Sequence, residues 1–195
     1  MRRPPKEPND YWIDQDNIIH IMLRNIHGDI VAETLIDIID FKIVSQYRWH
    51  CIVKSNTSYA RTHIYNPPNV IHHSILMHRL LIEIPTNSKL MIDHINGNGL
   101  DNRRKNIRLA TNIENGRNSK RPRNNASGFK GVSWVNRDNK WLARIMITGK
   151  RLFLGYFDNP EDAAKAYDKA ALKYHKNFAQ LNFPCIYTDL PMSNG

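Results

Sequence analysis

Cysteine is scarce in this chain and poorly placed for a scaffold. Cys51 and Cys185 are its 2 cysteines in 195 residues, and neither belongs to a Cys-x-x-Cys pair. No zinc ribbon is therefore expected, and two distant thiols do not make a disulfide framework. Long apolar runs are missing as well. No segment approaches the roughly 18 uninterrupted apolar residues of a membrane span. The basic start MRRPPKEPNDYW has no apolar core behind it, as a secretory signal would need. Acidic residues are the third shortage: Asp and Glu total 18 against 28 Lys and Arg, a formal net charge of +10. The expectation is a cytoplasmic protein with no membrane partner, and the charge favours a polyanion.

What is present concentrates in MIDHINGNGLDNRRKNIRLATNIENGRN. Asp93, His94, Asn106 and Asn115 put a carboxylate, an imidazole and two carboxamides in one window, together with Arg103, Arg104, Lys105, Arg108 and Arg117. Phosphodiester hydrolysis needs an activated water and a cation to offset developing charge. A histidine with pKa near 6.5 can take a proton from water at neutral pH. A hard divalent ion prefers oxygen ligands of the Asp and Asn type. Adjacent residues of a strand point to opposite faces, so Asp93 and His94 converge on one phosphate only if the backbone bends after His94, where Asn96-Gly97 offers a turn. The residues point to cleavage of nucleic acid. Arg103, Arg104 and Arg108 read better as phosphate contacts than as a solvated face. Asn96, Asn98 and Asn102 read as turn formers without chemistry. His78, on an apolar turn, reads as a packed or supporting histidine.

The chain divides into zones. Residues 1–86 read as strand-rich: Asn17 to Leu23 and Ile30 to Leu35 about a turn at His27-Gly28-Asp29, then Arg48 to Lys54, Tyr59 to Ile64 and Val70 to Leu76. The turns are set at Ser55-Asn56-Thr57 and Asn66-Pro67-Pro68-Asn69, with short helices over Asp37 to Tyr47 and Met77 to Glu83. Residues 87–118 read as strand, loop, strand and helix, with Thr111 and Glu114 offering a capping box. Residues 119–127, with Lys120, Arg121 and Arg123, are a basic linker that is either solvated or tracks a phosphate backbone. Residues 128–184 read as three strands with turns at Arg137-Asp138-Asn139 and Gly149-Lys150. A helix started by Asn159-Pro160 follows, with Ala163, Ala166, Tyr167, Ala170, Ala171 and Tyr174 on its packing face. Residues 185–195 form a tail. The fold class expected is α+β.

Two resemblances sharpen this. Asp93-His94-Ile95-Asn96-Gly97, Leu100-Asp101-Asn102-Arg103, Asn106-Ile107-Arg108 and Thr111 through Asn115 resemble the HNH nucleases, and more closely the phage and intron-borne HNH homing endonucleases. The likeness implies a ββα-metal core over 87–118. It makes His94 the general base and Asp93 and Asn115 the ligands of Mg2+, or of another divalent ion such as Mn2+. Asn106 holds the loop and the histidine. Asp37 to Trp49 and Met77-His78-Arg79-Leu80 resemble the region preceding that core in phage proteins of this type, with no defined chemistry.

Gly128-Phe129-Lys130-Gly131-Val132, Lys140-Trp141-Leu142-Ala143, Leu154-Gly155-Tyr156-Phe157, Ala163 through Asp168 and Leu181-Asn182-Phe183 resemble the ethylene-response-factor (Apetala-two) DNA-binding domain. That family lays a three-stranded antiparallel sheet, packed on one helix, into the major groove. The likeness makes Lys130, Trp134, Trp141, Arg144 and Arg151 candidates for DNA contact. Ser133 and Val135 depart from the pattern by replacing arginines used for base contacts.

The expectation is a metal-dependent HNH endonuclease of the homing class, acting on double-stranded DNA as a monomer or weak dimer. Its competitors are a DNA-binding regulator with a vestigial core and a restriction or defence nuclease.

Overall fold

A computed structural model describes residues 8–25, 27–54, 57–66, 71–85, 87–121 and 125–184. The expected turn residues 55–56 and 67–69, Arg123 and the 185–195 tail lie outside them. Among the described residues no helix is long and apolar enough to cross a membrane. The chain is mixed α+β and divides into two units, residues 1–111 and 112–195.

In the first unit the strands are β1 (Tyr11–Ile13), β2 (Ile18–Arg24), β3 (Ile30–Asp37), β4 (His50–Val53), β5 (Ser58–Asn66) and β6 (Ile71–Leu76). They form one sheet in the order β1-β2-β4-β5-β6, with β3 also paired to β2. Alternation sets the buried face: Ile19, Ile21 and Leu23 of β2 are buried while the residues between them are less so. Each fully buried Ile, Leu or Met contributes about 1.5–3 kcal/mol. Trp49 completes this core, its indole N–H donating to the Val44 carbonyl at 2.9 Å. Asn9 ties β2 to the chain before β4, donating to the carbonyls of Met22 (2.7 Å) and Trp49 (2.9 Å). The exposed strand β1 carries too short a pattern to be read from sequence.

The helix expected over 37–47 is shorter. A 3-10 turn at Ile38–Asp40 leads into α1 (Phe41–Val44), and Asp37 makes no side-chain cap. Likewise α2 (Met77–Leu81) ends before Glu83, because Ile82 is already extended (φ −119°, ψ 119°). Pro85 then disfavours helical backbone at Ile84. The hairpin of β7 (Met91–His94) and β8 (Ile107–Ala110) follows, and Ile107 joins the core of the large sheet.

The second unit contains α3 (Asn112–Asn118), then β9 (Val132–Val135), β10 (Lys140–Ile147) and β11 (Lys150–Phe157) as a three-stranded antiparallel sheet with β10 central. The β10–β11 turn falls on Thr148 (φ 44°) and Gly149 (φ 81°), one residue earlier than Gly149-Lys150. Two consecutive left-handed residues match the right-handed twist of a two-residue hairpin. Helix α4 (Pro160–His175) packs on this sheet, and Asn159 Oδ1 caps it by accepting from the Asp162 N–H at 2.8 Å. Its buried face differs from the expected stripe: Ala164, Asp168 and His175 are buried, whereas Tyr174 is exposed. Backbone partners draw the polar pair inward. Asp168 accepts from the N–H groups of Asn182 (2.8 Å) and Phe183 (2.9 Å), and His175 Nε2 donates to the Met146 carbonyl at 2.8 Å.

Gly131 marks the tightest point of this unit. Its φ is +79°, and a Cβ there would overlap the Tyr167 ring and approach the Arg144 carbonyl oxygen to 2.8 Å. Gly131→Ala should therefore destabilise the chain by about 2–4 kcal/mol, combining left-handed strain with overpacking. Denaturant unfolding measures this, and a loss below about 1 kcal/mol would contradict the packing described.

Candidate active site and nucleic-acid interface

The β7–β8 hairpin pairs Asp93 with Arg108 and His94 with Ile107. The turn comes immediately after His94, with Gly97 at φ 66° and its N–H on the His94 carbonyl at 2.8 Å. Asn106 closes the loop from within: its Oδ1 accepts from the Asn96 N–H (3.0 Å) and its Nδ2 donates to the Asp101 carbonyl (2.7 Å). The far side of the loop is stitched to β3. Leu35 N–H donates to the Leu100 carbonyl (2.9 Å), and Asn102 N–H donates to the Leu35 carbonyl (2.8 Å).

His94 is buried, and its Nε2 lies 3.3 Å from Asn102 Oδ1. The proton on that bond can be placed. Thr34 Oγ1 donates to the Leu100 carbonyl at 2.7 Å, so it accepts from Asn102 Nδ2 at 2.8 Å. Asn102 therefore presents its carbonyl oxygen to the imidazole, Nε2 carries hydrogen, and the lone pair of neutral His94 lies on Nδ1. Tyr59 and His78 pack around this ring, with centroids 5.9 and 4.9 Å away. Burial lowers the His94 pKa, outweighing the Asn102 hydrogen bond and the charges of Asp93 and Asp101. Burial, then the charges of His94 and Arg79, pushes His78 down to about 3. Both imidazoles are thus set up as neutral groups near pH 7.

Asp93 is buried, and its Oδ2 meets Arg108 at 2.9 Å (Nε) and 2.8 Å (Nη2). The neighbouring arginines are also engaged. Arg103 grips Asp101 (2.6 Å), and Arg104 grips the buried Asp40 (2.6 Å) while its backbone N–H reaches Asp37 (2.6 Å). These three arginines hold carboxylates of their own unit. Asp93 supplies a hard carboxylate oxygen beside the histidine, which fits a divalent ion of the Mg2+ type.

In the second unit, Asn115 and Arg117 are half-buried on α3, and Lys120 and Arg121 are exposed. Lys130 sits at the end of that helix, its Nζ donating to the carbonyls of Arg117 (2.6 Å) and Ser119 (2.5 Å). Burial lowers its pKa to about 8. Lys120, Arg121 and Lys130 line one cleft with Phe129 and Asn182. On the sheet, Trp141 packs on the helix side against Val132, Ala143, Ala163 and Ala164. Trp134 lies beside it, ring centroids 5.0 Å apart. Arg144 and Arg151 are exposed.

Sequence reasoning passed over Tyr59 and treated Asn102 as a turn former. Its place in the Leu100-Asp101-Asn102-Arg103 block was the signal available. His78 lies where a supporting histidine was expected.

Comparison with known proteins resolves two segments: residues 83–117 match the HNH endonuclease family, and residues 127–177 match the AP2 domain. The chain is 40% identical over 62 residues to APETALA2-like protein 2 of Oryza sativa subsp. indica, covering 32% of this chain and 14% of that protein. It is 43% identical over 60 residues to Protein 3.8 of Escherichia phage T7, covering 31% of this chain and 50% of that protein. Ethylene-responsive transcription factor ERF024 of Arabidopsis thaliana is 43% identical over 65 residues, covering 32% of this chain and 35% of that protein. The chain thus spans half or less of each of these relatives. It carries an HNH endonuclease domain followed by an AP2 domain, and the pair points to a nuclease and to DNA binding.

The histidine cluster has a consequence for acid stability. His78 titrates at about 3 when folded and near 6.5 when unfolded. Between those values the unfolded chain binds the extra proton, so stability falls as pH drops from about 6.5 towards 3. His94 acts in the same direction. The urea midpoint should fall between pH 7 and pH 4.5, and fall less in His78→Gln. Equal losses in both proteins would contradict a buried neutral His78.

Proposed function

We propose that the protein is a metal-dependent DNA endonuclease in which His94 accepts the proton of the attacking water. The observation that carries this reading is the buried imidazole oriented by Asn102 inside the HNH segment. In the proposed step the water oxygen forms a bond to phosphorus and its proton passes to Nδ1 of His94. The bond from phosphorus to one sugar oxygen breaks, and that oxygen leaves with the bonding electrons and takes a proton from solvent. Asn106 keeps the turn after His94 closed and so fixes where the imidazole stands. Asp93 and Asn115 would hold Mg2+ or Mn2+, a cation that supplies charge neutralisation at phosphorus and at the leaving oxygen. Along the chain these residues follow the strand, strand and helix order of the proposed ββα-metal core.

DNA is proposed to be bound through the exposed cations Lys120, Arg121, Arg144 and Arg151, with affinity falling as salt rises. Homing is the biological role that fits a small nuclease joined to its own reader. A regulator with a silent core is the second reading. It draws on the transcription factors among the relatives and on Arg108 sitting on Asp93.

His94→Ala should lower plasmid cleavage by about 10²–10⁴-fold while DNA affinity stays within about twofold, because a general base acts on rate and not on backbone binding. Asp93→Ala and Asn115→Ala should raise the Mg2+ concentration needed for half-maximal rate. Parent-like cleavage by His94→Ala would remove the assignment of the base. An unchanged Mg2+ dependence in both other variants would remove that of the ligands.

A further inference from the structure

The face of the three-stranded sheet opposite α4 combines cations with exposed apolar side chains. Register places Arg144 opposite Phe153, Met146 opposite Arg151 and Leu142 opposite Tyr156. Phe153 is 57% exposed, Met146 47% and Tyr156 46%, and the Phe153 and Tyr156 rings lie 5.2 Å apart. Residues 132–158 carry Arg137, Lys140, Arg144, Lys150 and Arg151 against two acids, Asp138 and Asp158, the second of them paired with Lys140. Asp138 is itself paired with Arg137 at 2.9 Å. The face therefore suits a polyanion, yet its middle is apolar. Phosphates satisfy the arginines and leave Phe153 and Met146 without a partner. In the major groove of DNA one base-edge group is apolar, the 5-methyl of thymine.

Resting on the DNA-binding reading above, we propose that Phe153 and Met146 read thymine methyl groups, giving the sheet a preference for T-containing steps set by apolar contact. Arg144 and Arg151, directly opposite these two residues, hold the sheet on the flanking phosphates. Ser133 of β9, opposite Leu142, adds a small hydroxyl to the same face rather than a guanidinium that would select guanine.

The test uses the full chain in EDTA, so that no strand is cut. It measures fluorescence anisotropy with a 30-base-pair A·T-rich duplex and with the same duplex carrying deoxyuridine for every thymidine. The exchange removes the methyl groups and keeps every phosphate and hydrogen-bonding edge. Binding should weaken about fourfold for each methyl contacted, about 15-fold for two. Phe153→Ala and Met146→Ala, both at exposed positions, should each reduce that ratio, and the double variant should bring it close to one with its salt dependence retained. Equal affinity of the parent for the two duplexes overturns the proposal while leaving DNA binding intact. The same ratio in parent and double variant also overturns it, as does a change in those variants confined to self-association. Failure of the parent to bind either duplex overturns the DNA-binding reading itself.

Discussion

The hydrogen-bond chain from Thr34 through Asn102 to His94 is the interaction on which the site depends. Thr34 lies on β3 of the large sheet and Asn102 in the loop between β7 and β8. Both are 0% exposed, so each polar atom must find a protein partner. Thr34 donates to the Leu100 carbonyl and accepts from Asn102 Nδ2, which turns the carbonyl oxygen of Asn102 towards the imidazole. Without the strand-rich region the hairpin would keep its residues but lose the group that selects the tautomer. This gives residues of the first 86 a physical role: β3 anchors the loop, β5 supplies Tyr59 and α2 supplies His78.

The same economy of charge governs the arginines. Near the hairpin, Arg103, Arg104 and Arg108 each neutralise a carboxylate, and all three carboxylates are nearly fully buried. Removing one partner of such a pair would strand the other. A net charge of +10 is thus spread unevenly in function: some cations hold the fold, and others, such as Arg144 and Arg151, face solvent from the sheet. Lys130 belongs to the first group, fastening the last carbonyls of α3. That helix, with Asn115, lies in the same unit as the AP2 sheet.

Local signals made much of this legible in the sequence. The Asn159-Pro160 start, the glycine and asparagine turns and the alternation of β2 and β10 all act over a few residues, and those elements appear within a residue or two of their expected places. The HNH and AP2 segments were readable for the same reason, being contiguous motifs. Relations that require distant residues to meet were not readable. Asn102 meets Thr34 across 68 positions and Arg104 meets Asp40 across 64, and no local pattern marks an asparagine as buried or an arginine as paired. The rotation of the buried stripe on α4 has a similar cause, since Asp168 and His175 are drawn in by backbone groups far along the chain.

The central claim is hydrolysis of DNA by this chain, and incubation with supercoiled plasmid tests it most directly. Protein at a concentration shown by gel shift to saturate the plasmid is compared in Mg2+ and in EDTA. The account predicts conversion to nicked or linear DNA in Mg2+ alone. Plasmid that stays supercoiled in Mg2+ and Mn2+ while fully bound would contradict it and leave a DNA-binding protein with a silent core.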